Sequence, residues 1–304
     1  MLPDATCSQF PGSKAVAVNT FYLSIFLWRL PRGIMKHLLK SAIQTAILAP
    51  VFCAMPQAYA AEEVSEKSSP HTLTTNVGFF SDYTFRGISY TREHGSIQGG
   101  FDYTHSSGFY LGIWATNIDS GAVYGNTVEK DLYGGYVQPL TDKLSMSVGF
   151  IEYFYPHGKH AGHGTTNRGD SANTTEINAA LMYENLTLKH SYALSNFFGI
   201  NNNYAGNGNS RGSGYTELNF NCKLPIADLN LLMHVGRQTV QHYSQANYTD
   251  WLVGVNKDFS IANSTGWNAG LNYTTTNASD SWYVDAKGWE TGNDRFIGYI
   301  KRTF

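Results

Sequence analysis

Residues 81–114 read SDYTFRGISYTREHGSIQGGFDYTHSSGFYLGIW. In two parts of this stretch every second residue is apolar, aromatic or small: Ile97, Gly99, Phe101 and Tyr103, then Phe109, Leu111, Ile113 and, just beyond, Ala115. Between them stand Gln98, Gly100, Asp102 and Thr104, then Tyr110, Gly112 and Trp114. A period of two predicts strands with one apolar and one wetter face. A soluble sheet turns its apolar face to a core. A membrane barrel turns that face to lipid and keeps the polar face inside. The rest of the chain has to decide between them.

Of 304 residues, 42% are hydrophobic, 14% aromatic and only 14% charged, with 30 Gly and 9 Pro. The mean hydropathy is -0.28. The charged share falls well below the usual quarter. This composition argues against a disordered chain and suits a β-rich protein with much surface that does not face bulk water. No apolar run after residue 61 is long enough to cross a bilayer as a helix, which leaves strands as the only spanning element.

The segment from Met35 has the layout of a secretory signal. Lys36 and Lys40 supply the charged start, Ala42 to Met55 is mostly apolar, and Ala58-Tyr59-Ala60 offers a small-x-small cleavage site. The expected organisation is therefore an over-called upstream segment at 1–34, a signal peptide at 35–60, a short periplasmic segment at 61–72 and a barrel at 73–304. Cleavage removes five basic residues (Lys14, Arg29, Arg32, Lys36 and Lys40) and one acidic residue, Asp4, so the mature chain is more acidic than the net −2 of the whole. A basic surface for nucleic acid is missing. Of three cysteines only Cys222 survives cleavage, so no internal disulfide forms.

Alternation predicts twelve strands, near 73–85, 97–103, 109–115, 128–136, 144–150, 177–183, 186–194, 218–224, 229–235, 251–255, 267–273 and 296–304. The connections alternate as well. HSSG, PLTDK, Glu184-Asn185 and PIAD are short, and DFSIANS is somewhat longer. DSGAVYGNT, HGKHAGHGTTNRGDSA, NFFGINNNYAGNGNSRGSG, RQTVQHYSQANY and TTNASDSWYVDAKGWETGND are long and polar. Short turns on one side and long loops on the other are the habit of outer-membrane barrels. An even strand count puts both termini on the periplasmic side. The last residue, Phe304, is the aromatic end that barrel-assembly machinery reads, although Arg302 breaks the alternation leading to it. The expected fold is thus an all-β, antiparallel, up-and-down transmembrane barrel of about 12 strands in the outer membrane. Its apolar faces meet lipid, and Tyr83, Tyr103, Tyr183, Trp251 and Tyr273 form interfacial girdles.

Five stretches carry a resemblance: SDYTFRGIS, IQGGFDYTHSSGFYLGIWATNID, KDLYGGY, LPIADLNLLMHVG and YTDWLVGVNKDF. On these the chain resembles the TorF-type family of proteobacterial porin-like proteins, from about residue 75 to the end. The resemblance implies an outer-membrane β-barrel and a pore. The long His-rich external loop departs from the family pattern.

Catalytic and metal chemistry find little footing. His157, His160 and His163 form H-x-x-H-x-x-H, a spacing open to Zn²⁺ or Cu²⁺, but the motif holds no Cys or carboxylate and reads first as a solvated loop. In HSYALSN, His190 and Ser191 have opposite parity, and so do His190 and Ser195, which argues against a barrel hydrolase. GNGNSRGSG does not lead into a helix, so it is no phosphate cradle. No cofactor is implied. The candidate pore-lining residues share the wet parity: Arg86, Asp102, Asp131, Glu176, Lys189, Glu217, Asp250, Arg295 and Lys301. Acids slightly outnumber bases among them, which predicts a weak cation preference. The expected function is passive diffusion of small hydrophilic solutes or ions. Its rivals are a structural or adhesive barrel with a plugged lumen and working loops, a barrel hydrolase, and a secreted soluble sandwich.

Overall fold

A computed structural model describes residues 69–160, 171–201 and 207–304. Twelve long strands close into one antiparallel barrel. They are β1 (His71–Phe80), β2 (Ser96–His105), β3 (Phe109–Asn117), β4 (Val128–Pro139), β5 (Leu144–Phe154) and β6 (Thr174–Tyr183). Then follow β7 (Leu186–Ala193), β8 (Gly214–Lys223), β9 (Asn230–Thr239), β10 (Tyr248–Ile261), β11 (Ser264–Thr276) and β12 (Arg295–Thr303). Each strand pairs with its sequence neighbours. The seam joins β1 to β12, with Phe79 opposite Ile300 and Phe80 opposite Tyr299. Closure leaves no unpaired edge.

At one end the turns are two to six residues long, and both ends of the barrel sequence lie there. Phe304 completes the ladder on that rim through two backbone bonds with Thr75, of 2.8 and 3.3 Å. Arg302 no longer looks out of place. Its guanidinium lies 4.2 Å from the Phe304 ring and 5.5 Å from that of Trp267, so the charge sits at the rim against aromatic faces. At the other end six long loops emerge: L1 (81–95), L2 (118–127), L3 (155–173), L4 (194–213), L5 (240–247) and L6 (277–294).

Two expected boundaries are corrected. The tenth connection is the two-residue turn Ala262-Asn263, with φ of 45° and 69°. Positive φ at both central residues makes the tight turn that matches strand twist, so DFSI stays in the ladder. The first strand ends at Phe80. Beyond Ser81, whose N–H still bonds Gly298, the chain leaves the wall and enters the barrel mouth, and Tyr83 and Phe85 go with it. Tyr83 is therefore buried in the loops and forms no part of a girdle.

The faces sort as the alternation requires. Phe101, Leu111, Val148, Leu181 and Leu188 point outward and stay exposed. Tyr103 and Tyr183 lie on the outer wall towards the short-turn end, and Trp251 and Tyr273 towards the loop end. The packed core is not between sheets. It lies among the long loops, all six of which contribute: Tyr83, Ile118, Tyr155, Phe198, Tyr243 and Trp282 belong to one cluster. Tyr155 and Tyr243 are wholly buried. The loop half of the barrel is thus filled with aromatic rings, while the short-turn half keeps many half-buried polar side chains facing inward.

Candidate functional site

The site begins with the stretch SDYTFRGIS. It forms a small hairpin, Thr84–Phe85 against Ile88–Ser89, that dips into the lumen. Its tip is Arg86-Gly87, with φ of 49° and 78°. Gly87 is required twice over. A side chain there would be strained by the positive φ, and a Cβ would meet Thr276 Cγ2 at 2.6 Å and Asp250 Cβ at 2.8 Å. The tip therefore touches β10 and β11 while its base hangs from β1 and β2.

Arg86 reaches further still. Its guanidinium forms a fork on Glu176 of β6, with Nη2 to Oε2 at 2.6 Å and Nη1 to Oε1 at 3.1 Å. Nη1 also donates to Gln238 Oε1 of β9 at 2.9 Å. The rings of Tyr215 and Phe85 flank it at 4.3 and 4.7 Å. One side chain thus ties L1 to three strands across the lumen. The bidentate geometry is the strong form of an ion pair, and both partners are almost fully buried.

The hairpin base is organised by Asp82. Its Oδ1 accepts from Ser89 Oγ at 2.8 Å, Thr91 Oγ1 at 2.6 Å and the Glu93 N–H at 3.2 Å. Arg295 stands 3.5 Å from its Oδ2. Arg92 pairs with Asp285 of L6 at 3.0 Å. These contacts make L1 a built strap rather than a loose loop.

Two further groups line the wall nearby. Tyr215 hydroxyl donates to Asp250 Oδ1 at 2.9 Å, and His234 Nε2 lies 2.6 Å from Asp250 Oδ2. Glu217 pairs with Lys189 at 3.4 Å. Gly236 lets Tyr215 lie flat on the wall, because a Cβ there would meet the Tyr215 hydroxyl at 1.9 Å. On β4, Glu129 and Asp131 are buried without a basic partner among the described residues. Tyr83 hydroxyl donates to Glu129 Oε1 at 2.9 Å, and Asp131 Oδ1 accepts no hydrogen bond among the described residues.

All nine charged candidates fall inside the barrel. Arg86 arrives on the strap rather than on a strand. Asp131, Glu176, Glu217 and Asp250 surround the strap level, and Lys189 joins them through Glu217. Arg295 supports the strap base. Asp102 and Lys301 lie apart. Asp102 accepts from Tyr133 and Asn76, and Lys301 faces Asn268 across the β11–β12 ladder. The sequence reading passed over Glu129, Gln238 and Tyr215. Glu129 shares Asp131's parity and Tyr215 shares Glu217's, so alternation alone could have found both.

The other motifs stay separate. His190 points outward, where its Nδ1 lies 2.8 Å from Thr216 Oγ1, and Ser191 points inward. His157 is exposed, and His160 turns in towards the Phe198 carbonyl at 2.9 Å. His163 lies outside the described residues, as do the signal segment and most of the expected periplasmic segment. Cys222 is buried and in no disulfide among the described residues.

A family model described as "Bacterial protein of unknown function (Gcw_chp)" matches residues 64–304. No curated protein matches. The structure is similar to the KdgM porin, at 8% identity and a TM-score of 0.44, covering 76% of this chain and 99% of that one. It is similar to the NanC porin at 9% identity and 0.42, covering 77% and 99%. It is also similar to OprD of Pseudomonas aeruginosa at 13% identity and 0.34, covering 76% and 66%.

Proposed function

This chain belongs to the Gcw_chp family of bacterial proteins, and from that premise we propose that it is an outer-membrane channel of the TorF type, through which small hydrophilic solutes or ions diffuse passively. One observation carries the reading: the closed sheet is turned inside out. Phe101, Leu181 and Leu188 are exposed on the outer wall, while Asp102, Glu176 and Glu217 are buried within. In hydrocarbon a closed barrel pairs every backbone group, and the apolar outer rows need a solvent of that kind. The lipid of the outer membrane is then the partner of the outer wall. Phe304 offers the end that barrel-assembly machinery reads, and the inner wall sorts solutes by width and charge. The residues called pore-lining from the sequence take that role in this reading.

A second reading is favoured by the loop core. Six loops packed into one mouth suit a structural or adhesive barrel whose lumen is closed and whose loops do the binding.

The mature chain, refolded from Ala61 and verified by heat-dependent gel migration, separates the two. In a planar bilayer the channel reading expects discrete current steps and a reversal potential weighted to cations. A folded barrel that stays silent overturns it in favour of the structural barrel.

A further inference from the structure

The strap level holds an occupied cation site, and its occupant is tethered. The guanidinium of Arg86 has what a bound organic cation would need: a carboxylate fork from Glu176, an acceptor from Gln238, and aromatic faces from Tyr215 and Phe85. Planar cations are recognised by this combination of bidentate acceptor and ring quadrupole. The wall supplies all of it except Phe85. The hairpin that brings Arg86 has a ladder of only two residue pairs, so at the tip the polar contacts that hold it are those of Arg86 itself with Glu176 and Gln238.

Charge balance around the site favours the same class of ligand. Glu129, Asp131, Glu176, Glu217 and Asp250 face inward near the strap, and the wall answers with Lys189, while His234 Nε2 lies 2.6 Å from Asp250 Oδ2. Asp131 Oδ1 is buried without a hydrogen-bond partner among the described residues. Withdrawing Arg86 alone would strand Glu176 as a buried, unpaired carboxylate, which is strongly unfavourable. An incoming cation removes that penalty. A neutral or anionic solute does not. Exchange is therefore the natural way for the strap to yield.

We propose that the pocket formed by Glu176, Gln238 and Tyr215 is a recognition site for solutes carrying a guanidinium or primary ammonium group, and that Arg86 is a resident occupant which the solute replaces. The inference rests on the channel reading and adds its substrate class. Arg86 is then a specificity-determining residue, and Gly87 positions it.

Guanidinium chloride at millimolar concentration is the probe. In bi-ionic bilayer recordings against potassium chloride, the mature wild-type chain should favour guanidinium by about threefold or more, a small differential on the affinity scale. R86Q/E176Q replaces the ion pair by two amides of similar size. It should conduct more, with that preference gone. A conducting wild type with no guanidinium preference overturns the site but leaves the channel standing, and so does a double variant that keeps the preference. A binding test needs no current. In detergent, guanidinium should raise the melting temperature of the R86A barrel and leave that of R86A/E176Q unmoved. Equal shifts in both overturn the proposal. Stabilisation of R86A by guanidinium in a barrel that never conducts would instead overturn the channel reading and keep the pocket.

Discussion

The two halves of this barrel are held together by different forces. In the loop half, rings from five loops and the aliphatic Ile118 and Val123 of L2 meet inside the mouth, and Tyr155 and Tyr243 lose all contact with solvent. In the short-turn half the described residues form no such core. Lys189, Thr187 and Tyr133 remain half-buried against the lumen, and stability there rests on the closed ladder and the apolar outer rows. A soluble domain would have one core. Here the aromatic residues do two jobs that composition alone cannot tell apart, packing a plug at one level and facing outward at another. Substitutions should therefore have opposite consequences in the two halves.

The largest effect is expected at Phe198. It is buried and its ring lies 4.6 Å from Phe197, 5.4 Å from Phe85 and 5.5 Å from Tyr153. Phe198→Ala should cost the loop packing about 3–5 kcal/mol, as for other buried rings. Hydrogen exchange would show lost protection in L1 to L6, with the short-turn ends of the strands unchanged. Equal loss in both halves would mean that the plug and the wall are one cooperative unit.

The next effect concerns the wall. Val148 is exposed on the outer face near mid-strand, and Thr187 faces the lumen in the hollow half. Val148→Arg should cost about 2–4 kcal/mol in lipid. Thr187→Arg should stay within about 0.5 kcal/mol, as surface changes do. Urea unfolding in vesicles measures both. A reversed order would place the lipid on the wrong side of the sheet.

A third effect joins the halves through the strap. Gly87→Ala combines the left-handed backbone penalty with a clash against Thr276 and Asp250, together about 2–3 kcal/mol. The tip should leave its seat. Protease should then cut L1 faster, and conductance should rise while gel migration stays that of a folded barrel. Unchanged proteolysis would show that the tip tolerates a side chain and that the strap is not closely seated.

The twelve strands were legible because alternation is a local signal, and lipid on one side with a polar lumen on the other enforces it along every strand. Eight of the inward charges followed from strand parity, whereas Arg86 reaches the lumen on the hairpin of L1. Tyr83 and Phe85 misled because they keep the parity of the first strand after the strand has ended. What ends it is the burial of both rings against partners far off in sequence, Tyr83 on Trp114 and Glu129, and Phe85 on Tyr153 and Phe198. The partners of Arg86 were hidden for the same reason. Glu176 and Gln238 are 90 and 152 residues away, and only closure of the barrel brings them together. His160, grouped by spacing with His157, answers instead to a carbonyl of L4.

The smallest effect is a pH dependence confined to the loop half, where two carboxylates act with opposite sign. Burial alone would raise Asp119, but the 2.6 Å hydrogen bond from Lys287 and the Gly121 N–H outweigh it and hold its carboxyl below the ordinary value of 3.8. A lowered folded-state value stabilises above the unfolded value and is lost as pH falls through the folded one. Asp82 runs the other way. Burial raises it, and the bonds from Thr91 and Ser89 only partly offset this. A raised acid binds its proton more tightly when folded, so acidification from above 3.8 favours the folded strap base. The link between L2 and L6 should therefore loosen below about pH 4, while the base of L1 tightens slightly above it. The change at Asp119 should be no more than about 1 kcal/mol, since Asp119 and Lys287 are partly exposed. Proteolysis rates between pH 3 and 6 can separate the two, because Asp119→Asn should remove the loosening of L2 and Asp82→Asn the tightening of L1. If neither substitution alters the pH profile, the rings alone hold the loop half, and its charged contacts are incidental to stability.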